Sequence, residues 1–124
     1  MKIIEAEKAP AAIGPYSQAI TFNGMVYTSG QIPLSPETGE IVGDGIKEQT
    51  EQVIRNIKAV LDAAGSGIAH VIKTACFLTD MGDFAAFNEV YSEHFIGKPA
   101  RSCVAVLALP KGALVEIEAV AEII

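Results

Sequence analysis

The chain has 124 residues, of which 50% are hydrophobic, and 15 acidic against 9 basic residues give it a formal net charge of −6. This length suits a single domain, spanning 1–124, with a hydrophobic core of its own. The basic residues are scattered, whereas proteins that bind nucleic acid usually concentrate them in a stripe that displaces counterions from phosphates. No apolar run reaches the roughly 18 residues of a membrane helix. We therefore expect neither a nucleic-acid partner nor a membrane partner.

Cysteine and histidine usage points away from a metal site. Cys76 and Cys103 each lie within an apolar run, and no Cys-x-x-Cys pair or histidine cluster occurs. This pattern is typical of reduced thiols, so it predicts neither a disulfide nor a bound metal. We expect His70 and His94 to be structural or exposed. The segment Met1–Lys8 contains acidic residues and lacks the apolar stretch of a secretion signal, which favours a cytoplasmic location.

The first half of the chain predicts a hairpin, a loop and a helix. In Gln18–Ser29, two β-rich runs flank Asn23-Gly24, the dipeptide that favours a type I′ turn. Prolines and glycines make Gln31–Gly45 a predicted irregular loop. From Ile46 to Ala64, apolar residues recur at helical spacing, so we expect an amphipathic helix that ends at Gly65.

The second half predicts a strand, a helix and two further strands. Val71–Leu78 is a mostly buried strand, and Asp80 is a candidate cap for a second helix with an aromatic stripe between Phe84 and Phe95. The last two strands are Ser102–Leu109 and Leu114–Ile123. The order ββαβαββ with only two helices indicates an α+β protein whose four- to six-stranded sheet is covered on one face.

The last two strands indicate what covers the other face. In Leu114–Ile123 one set of alternate positions is apolar and should pack on the helices, while Glu116 and Glu118 belong to the other set. The preceding strand is apolar at both sets of positions, which a sheet with one face in water would not require. We infer that the chain associates with copies of itself and that the two glutamates line a cleft.

The chain has only two arginines, and they differ in context. Arg55 follows Glu51 by four residues, which predicts a pair on an exposed helix face. Arg101 has no such local partner and stands at the start of an apolar strand. A guanidinium is always charged and presents a planar fork of donors that fits a carboxylate. Arg101 therefore indicates an anion-binding pocket, with an ordinary surface ion pair as the alternative.

Five segments resemble one known family in sequence and in order: Ala11–Ala19, Thr28–Pro33, Ala100–Val104, Leu109–Lys111 and Val115–Ala119. Together they resemble the RidA (YjgF-type) family of reactive-intermediate deaminases over nearly the whole chain. The resemblance implies a chorismate-mutase-like fold with a mixed sheet and two helices on one face. It also implies a homotrimer with active sites in the clefts between subunits. The implied reaction is hydrolysis of 2-imino acids or their enamines, such as 2-iminobutanoate and 2-iminopropanoate, to 2-oxo acids and ammonia without a cofactor.

The resemblance also implies roles for individual residues. Arg101 would hold the substrate carboxylate with help from the backbone N–H of Gly30, and Glu116 would hold the attacking water and accept its proton. Tyr16 would close over the ligand. The remaining residues expected to line the pocket are Ser29, Asn88 and Cys103.

Each of these residues also has an ordinary structural interpretation. Tyr16 follows a predicted turn, and packing against a neighbour would also explain it. Asn88 lies on an apolar helix stripe, where a structural hydrogen bond would explain it. Cys103 could be a small core residue, and Glu116 a solvated strand carboxylate. Two alternative functions stay open: a non-catalytic protein that binds 2-oxo acids, and an endoribonuclease or translation inhibitor. The acidic balance and the lack of paired histidines disfavour the second.

Overall fold

The computed structural model describes residues 1–124 and contains a six-stranded sheet with two α-helices. The strands are β1 (Lys2–Ile4), β2 (Ala19–Phe22), β3 (Met25–Thr28), β4 (Val71–Leu78), β5 (Ala100–Ala105) and β6 (Val115–Glu122), and the helices are α1 (Ile46–Ala63) and α2 (Phe84–His94). The strand order is β1-β2-β3-β6-β4-β5. Only β4 and β5 are parallel, because α2 connects them as a crossover. The predicted α+β class with a mixed sheet is confirmed.

The predicted hairpin and first helix form as expected. Asn23 and Gly24 have φ angles of 51° and 75°, the positive values that a type I′ turn requires. In the first turn of α1, the Glu48 carboxylate accepts a hydrogen bond from the Gly45 N–H at 2.9 Å. Gly65 follows the helix with a φ of 82° and ends it. Neither α1 nor α2 has the length and hydropathy to cross a membrane.

The second helix begins later than its predicted cap. Asp80 accepts a hydrogen bond from the Gly82 N–H at 2.8 Å, but it caps the short 3₁₀ turn Met81–Asp83. That turn then leads into α2 at Phe84. Asp80 is therefore a cap, but of the 3₁₀ turn and not of α2, and the regular α-helix starts one turn further along.

Both helices pack on one face of the sheet. The largest fully buried apolar side chains are Val53, Ile57, Val60 and Leu61 of α1, Phe87 of α2, and Val26, Leu78, Val115 and Ile117 of the sheet. Each such side chain contributes about 1.5–3 kcal/mol through burial. The alternation predicted for the last strand is confirmed, because Val115, Ile117, Ala119 and Ala121 are all buried.

The opposite face of the sheet has no cover within the chain. Ile3, Phe22 and Val104 are each about half exposed there, at 56%, 54% and 48%. Just beyond β5, Leu107 is fully exposed. These side chains extend from one edge strand of the sheet to the other, and a sheet face with several exposed apolar side chains is typical of a surface that binds another protein.

Two strand predictions need correction. β1 was not predicted, because three residues are too few to show an alternating pattern, and it forms only by pairing with β2. The strand predicted over Ser102–Leu109 instead spans Ala100–Ala105. Its partner β4 ends at Leu78, whose carbonyl accepts one last hydrogen bond from the Val106 N–H at 2.8 Å. Beyond that point no neighbouring strand remains to extend β5.

The predicted pair between Glu51 and Arg55 is wrong. The Glu51 carboxylate lies 2.9 Å from His94 Nε2, so it links α1 to α2, while Arg55 is exposed and makes no salt bridge. His70 lies 3.1 Å from Glu122 in the same way. Both histidines are therefore structural contacts, as expected.

Candidate active site

Arg101 projects from the covered side of β5. In the parallel register Arg101 lies opposite Thr74, whose side chain is fully buried under the helices. The guanidinium Nη1 donates a hydrogen bond to Asn88 Oδ1 at 2.8 Å. Asn88 is not close to Arg101 in sequence, and α2 brings it into contact. Arg101 makes no salt bridge with any carboxylate of the chain.

Aromatic rings surround the guanidinium. Its Cζ atom lies 4.8 Å from the ring centroid of Tyr91, 5.5 Å from that of Phe84 and 6.0 Å from that of Phe87. These distances fall within the range of cation–π attraction. Asn88 uses one hydrogen of Nη1, so the edge formed by Nε and Nη2 stays available as a fork for a carboxylate.

Cys103 lies two residues after Arg101 and faces the same side. It is half-buried and pairs in register with Cys76 of β4. Burial raises the pKa of the Cys103 thiol, although the charge of Arg101 opposes the shift, and burial raises the pKa of Cys76 to about 12. Both thiols are therefore protonated at neutral pH, and Cys103 offers a small neutral wall beside Arg101 rather than a nucleophile.

Glu116 and Gly30 meet on the open side of the sheet. Glu116 alternates with the buried Val115 and Ile117, so its side chain points away from the helices. Two backbone hydrogen bonds between Gln31 and Ile117, of 2.8 and 3.1 Å, hold the loop against β6 at this point. A Cβ atom on Gly30 would lie only 2.7 Å from Glu116 Cδ. Glycine at this position allows the glutamate to approach the backbone closely.

The environment of Glu116 suits proton transfer. Burial raises the pKa of this half-buried carboxyl, and repulsion from Glu118, which lies on the same face, raises it further. Glu116 therefore holds its proton to a higher pH than an exposed glutamate does. A group of this kind is a better acceptor and donor of protons near neutral pH.

Tyr16 and Ser29 lie on the same side of the molecule as Gly30. The Ser29 hydroxyl donates a hydrogen bond to the Ser17 carbonyl at 2.5 Å. Its hydrogen is therefore used within the chain, while its oxygen can still accept a hydrogen bond from a ligand. Tyr16 is 53% exposed and lines a small cavity together with Gly30 and Gln31.

The predicted site residues thus form two groups instead of one. The Arg101 half-site consists of Asn88, Arg101 and Cys103, and the Glu116 half-site consists of Tyr16, Ser29, Gly30 and Glu116. In register, Arg101 lies opposite the buried Thr74, while Glu116 lies opposite Phe77 on the other face. Within one chain, the register therefore places the side chains of Arg101 and Glu116 on opposite faces of the sheet.

Two buried polar residues that support the Glu116 half-site were not singled out from the sequence. Gln18 accepts the Ala6 N–H at 2.6 Å and donates to the Pro10 carbonyl at 2.7 Å, which anchors the segment before Tyr16. Asn56 donates to the carbonyls of Ile32 and Leu34 at 3.1 and 3.0 Å. The position of Asn56, one residue before Ile57 on the buried stripe of α1, was the available signal.

Neither half-site gathers a set of metal ligands. Three side chains that are close enough together to share a metal ion lie elsewhere, between α1 and α2. The possible ligand atoms of Glu51, Glu93 and His94 fall within 4.8 Å of one another there. Glu51 and His94 are already hydrogen-bonded to each other there.

Comparison with known proteins decides the family. The profile of the family described as Endoribonuclease L-PSP matches residues 6–123. The crystal structure of RidA from a Psychrobacter species is 48% identical, with a TM-score of 0.94, over 99% of this chain and 100% of that one. The chain belongs to the RidA family. The resemblance noted in the sequence motifs is confirmed.

Named relatives of this RidA chain carry several descriptions. A protein of Lactococcus lactis with the provisional name regulator AldR is 56% identical over 99% of this chain and 98% of its own length. Escherichia coli TdcF, provisionally named a reactive intermediate deaminase, is 49% identical over 97% of this chain and 95% of its own length. The crystal structure of TdcF with bound serine has a TM-score of 0.92 at 48% identity and covers 98% of both chains. The relationship to TdcF supports a deaminase-type activity.

Proposed function

We propose that this RidA chain hydrolyses reactive 2-imino acids, such as 2-iminobutanoate and 2-iminopropanoate, to 2-oxo acids and ammonia. The observation that carries the proposal is the Arg101 guanidinium, which has no carboxylate partner and is oriented by Asn88 above aromatic rings. Such a group is prepared to bind the α-carboxylate of a substrate. Serine, which the TdcF crystal structure contains, has an α-carboxylate of the same kind.

The complete site needs two copies of the chain. The sheet separates Arg101 from Glu116, so the Arg101 half-site of one copy would face the Glu116 half-site of another. The uncovered apolar face supports such an assembly, since Ile3, Phe22 and Val104 would lose their contact with water. A homotrimer with a head-to-tail interface would contain three identical clefts. Each cleft would join a carboxylate receptor to a proton acceptor.

The reaction then divides between the two half-sites. Arg101 and the wall formed by Cys103, together with the backbone N–H of Gly30 from the other copy, hold the carboxylate and present the protonated imine carbon to water. Glu116 accepts a proton as the water oxygen bonds to that carbon. The resulting tetrahedral intermediate takes that proton back on its nitrogen. The carbon–nitrogen bond then breaks while Glu116 accepts the proton of the hydroxyl group, which releases ammonia and the 2-oxo acid, and the proton on Glu116 passes to water. Tyr16 would cover the cleft.

A coupled assay tests this proposal. A pyridoxal-phosphate-dependent dehydratase supplies the imine from threonine, and the decay of the imine is followed with and without this protein. We expect acceleration by the wild type and by Arg55→Ala, which changes the exposed arginine, and none by Arg101→Ala. Equal acceleration by Arg101→Ala and the wild type would reject the proposal.

The same protein samples test the alternative functions. Saturable binding of 2-oxobutanoate that needs Arg101, without faster imine decay, would support a binding or regulatory role of the kind that the name of AldR suggests. Cleavage of RNA that persists through repurification and is lost in Glu116→Gln would support the description of the family as endoribonucleases. Either result would replace the deaminase proposal.

A further inference from the structure

We propose that Tyr91 is a positioning residue for Arg101, and that Thr74 holds Tyr91 in place. The consequence for turnover rests on the proposed deaminase function, whereas the geometry can be tested without it. Neither Tyr91 nor Thr74 belongs to the two half-sites described above. Both are buried next to Arg101.

The three residues form a closed triangle. Arg101 and Thr74 lie directly opposite each other on the parallel strands β5 and β4. The Tyr91 hydroxyl and Thr74 Oγ1 are 2.7 Å apart in a buried hydrogen bond, and the Arg101 Cζ lies 4.8 Å from the centroid of the Tyr91 ring. Tyr91 on α2 therefore touches both members of one register pair of the sheet.

The ring has little freedom to move. Tyr91 is only 7% exposed, and it stacks on Phe95 with a centroid distance of 4.3 Å and an interplanar angle of 26°. Phe87 also packs against Tyr91, with a centroid distance of 5.6 Å and an interplanar angle of 42°. Burial raises the pKa of the phenol, so the hydroxyl stays neutral and keeps its hydrogen bond to Thr74.

Two different restraints then act on the guanidinium. The hydrogen bond to Asn88 fixes its rotation within its own plane, and attraction to the Tyr91 ring fixes the position of that plane. A side chain held in this way loses less conformational entropy when a carboxylate binds. Tyr91 should therefore affect substrate binding, seen in KM, more than the rate of the chemical step, seen in kcat.

Nuclear magnetic resonance of arginine side chains tests the geometry directly. The chain has only two arginines, and the exposed Arg55 provides an internal reference for Arg101. With ¹⁵N-labelled arginine, we expect the Arg101 Nε–H resonance to be shifted upfield by the Tyr91 ring and to exchange with water more slowly than that of Arg55. Tyr91→Leu should move the Arg101 resonance toward that of Arg55, while Tyr91→Phe should keep most of the shift because the ring remains.

Kinetics on the same variants separate positioning from stability. We expect Tyr91→Leu to raise KM by about tenfold with kcat within about twofold, the size of a partly desolvated cation–π contact. Tyr91→Phe should restore most of that loss. Leu61→Ala, a truncation of a fully buried α1 side chain, should lower the melting temperature and leave KM unchanged.

Thr74→Val provides a second route if Tyr91→Leu does not fold. This change keeps the shape of residue 74 and removes the partner of the Tyr91 hydroxyl, so we expect a smaller upfield shift of Arg101 and a KM increase of about threefold. The inference is overturned if the Arg101 resonance resembles that of Arg55 in the wild type, or does not change in Tyr91→Leu or Thr74→Val. Because this spectrum needs no substrate, an absence of imine hydrolysis would reject the proposed function and leave the test of Tyr91 decisive.

Discussion

Replacing Gly30 with alanine should abolish most of the activity while leaving the fold nearly intact. The added Cβ would lie 2.7 Å from Glu116 Cδ, 2.8 Å from Oε2 and 3.0 Å from Cγ. A Cβ atom cannot lie this close to other carbon or oxygen atoms, so the new methyl group and the Glu116 side chain must move apart. Gly30 has no positive φ angle, so the backbone itself accepts alanine.

The magnitude follows from which atoms can move. All three contacts are with the outer part of a flexible side chain, so Glu116 can rotate away at a cost of about 1 kcal/mol. That rotation shifts the carboxylate by about 1 Å or more, and a misplacement of this size in a reacting group lowers the rate about 100-fold. We therefore expect kcat to fall about 100-fold and the melting temperature to fall by only a few degrees.

The assay is the decay of 2-iminobutanoate, measured together with thermal unfolding. Gly67→Ala is the matched control, because no atom lies within 4 Å of the position of its Cβ and its φ is not positive. Combining Gly30→Ala with Glu116→Gln should cost little more than Glu116→Gln alone, since both changes act on one carboxylate. Wild-type kcat in Gly30→Ala would refute the reasoning, as would complete unfolding of that variant.

Three further outcomes follow from the contacts of the site. Glu116 must be ionised to accept a proton, so kcat/KM should fall as the pH drops through its raised pKa. Glu118→Gln removes a repulsion and lowers the pKa of Glu116, so it should move the acidic side of the pH profile of kcat/KM to lower pH. An unchanged pH profile in Glu118→Gln would contradict this. Asn56→Ala leaves two loop carbonyls without their donor, so urea unfolding should show a loss of about 3 kcal/mol, and a loss below ~1 kcal/mol would show that water replaces the amide. Dilution should lower the melting temperature if copies of the chain cover the open sheet face, whereas a monomer would show no dependence on concentration.

Local patterns in the sequence were sufficient for most of the fold. The Asn23-Gly24 turn, the stripe of α1 and the alternation of β6 each arise from residues close together in the chain, so spacing alone indicates them. The end of β5 cannot be predicted from spacing, because a strand ends where the neighbouring strand that it pairs with ends. β4 ends at Leu78, and no residue near Leu109, the predicted end of β5, indicates where β4 ends.

The division of the site depends on register, which the sequence does not show. Arg101 faces the helices because it lies opposite Thr74; a shift of one residue between β4 and β5 would turn it to the same side as Glu116. The contact between Arg101 and Asn88 likewise requires α2 to cross at one particular height. Family motifs identified the candidate residues, and the strand pairing separates them into two half-sites.

Mixing two inactive variants tests the shared site most directly. Arg101→Ala retains the Glu116 half-site, and Glu116→Gln retains the Arg101 half-site. If the two are unfolded together in equal amounts and refolded, random assembly should give about one quarter of the clefts an intact arginine and an intact glutamate from different copies. The account predicts about one quarter of the wild-type rate of imine hydrolysis in the mixture, with each variant inactive when refolded alone. A mixture as inactive as its two components would contradict it.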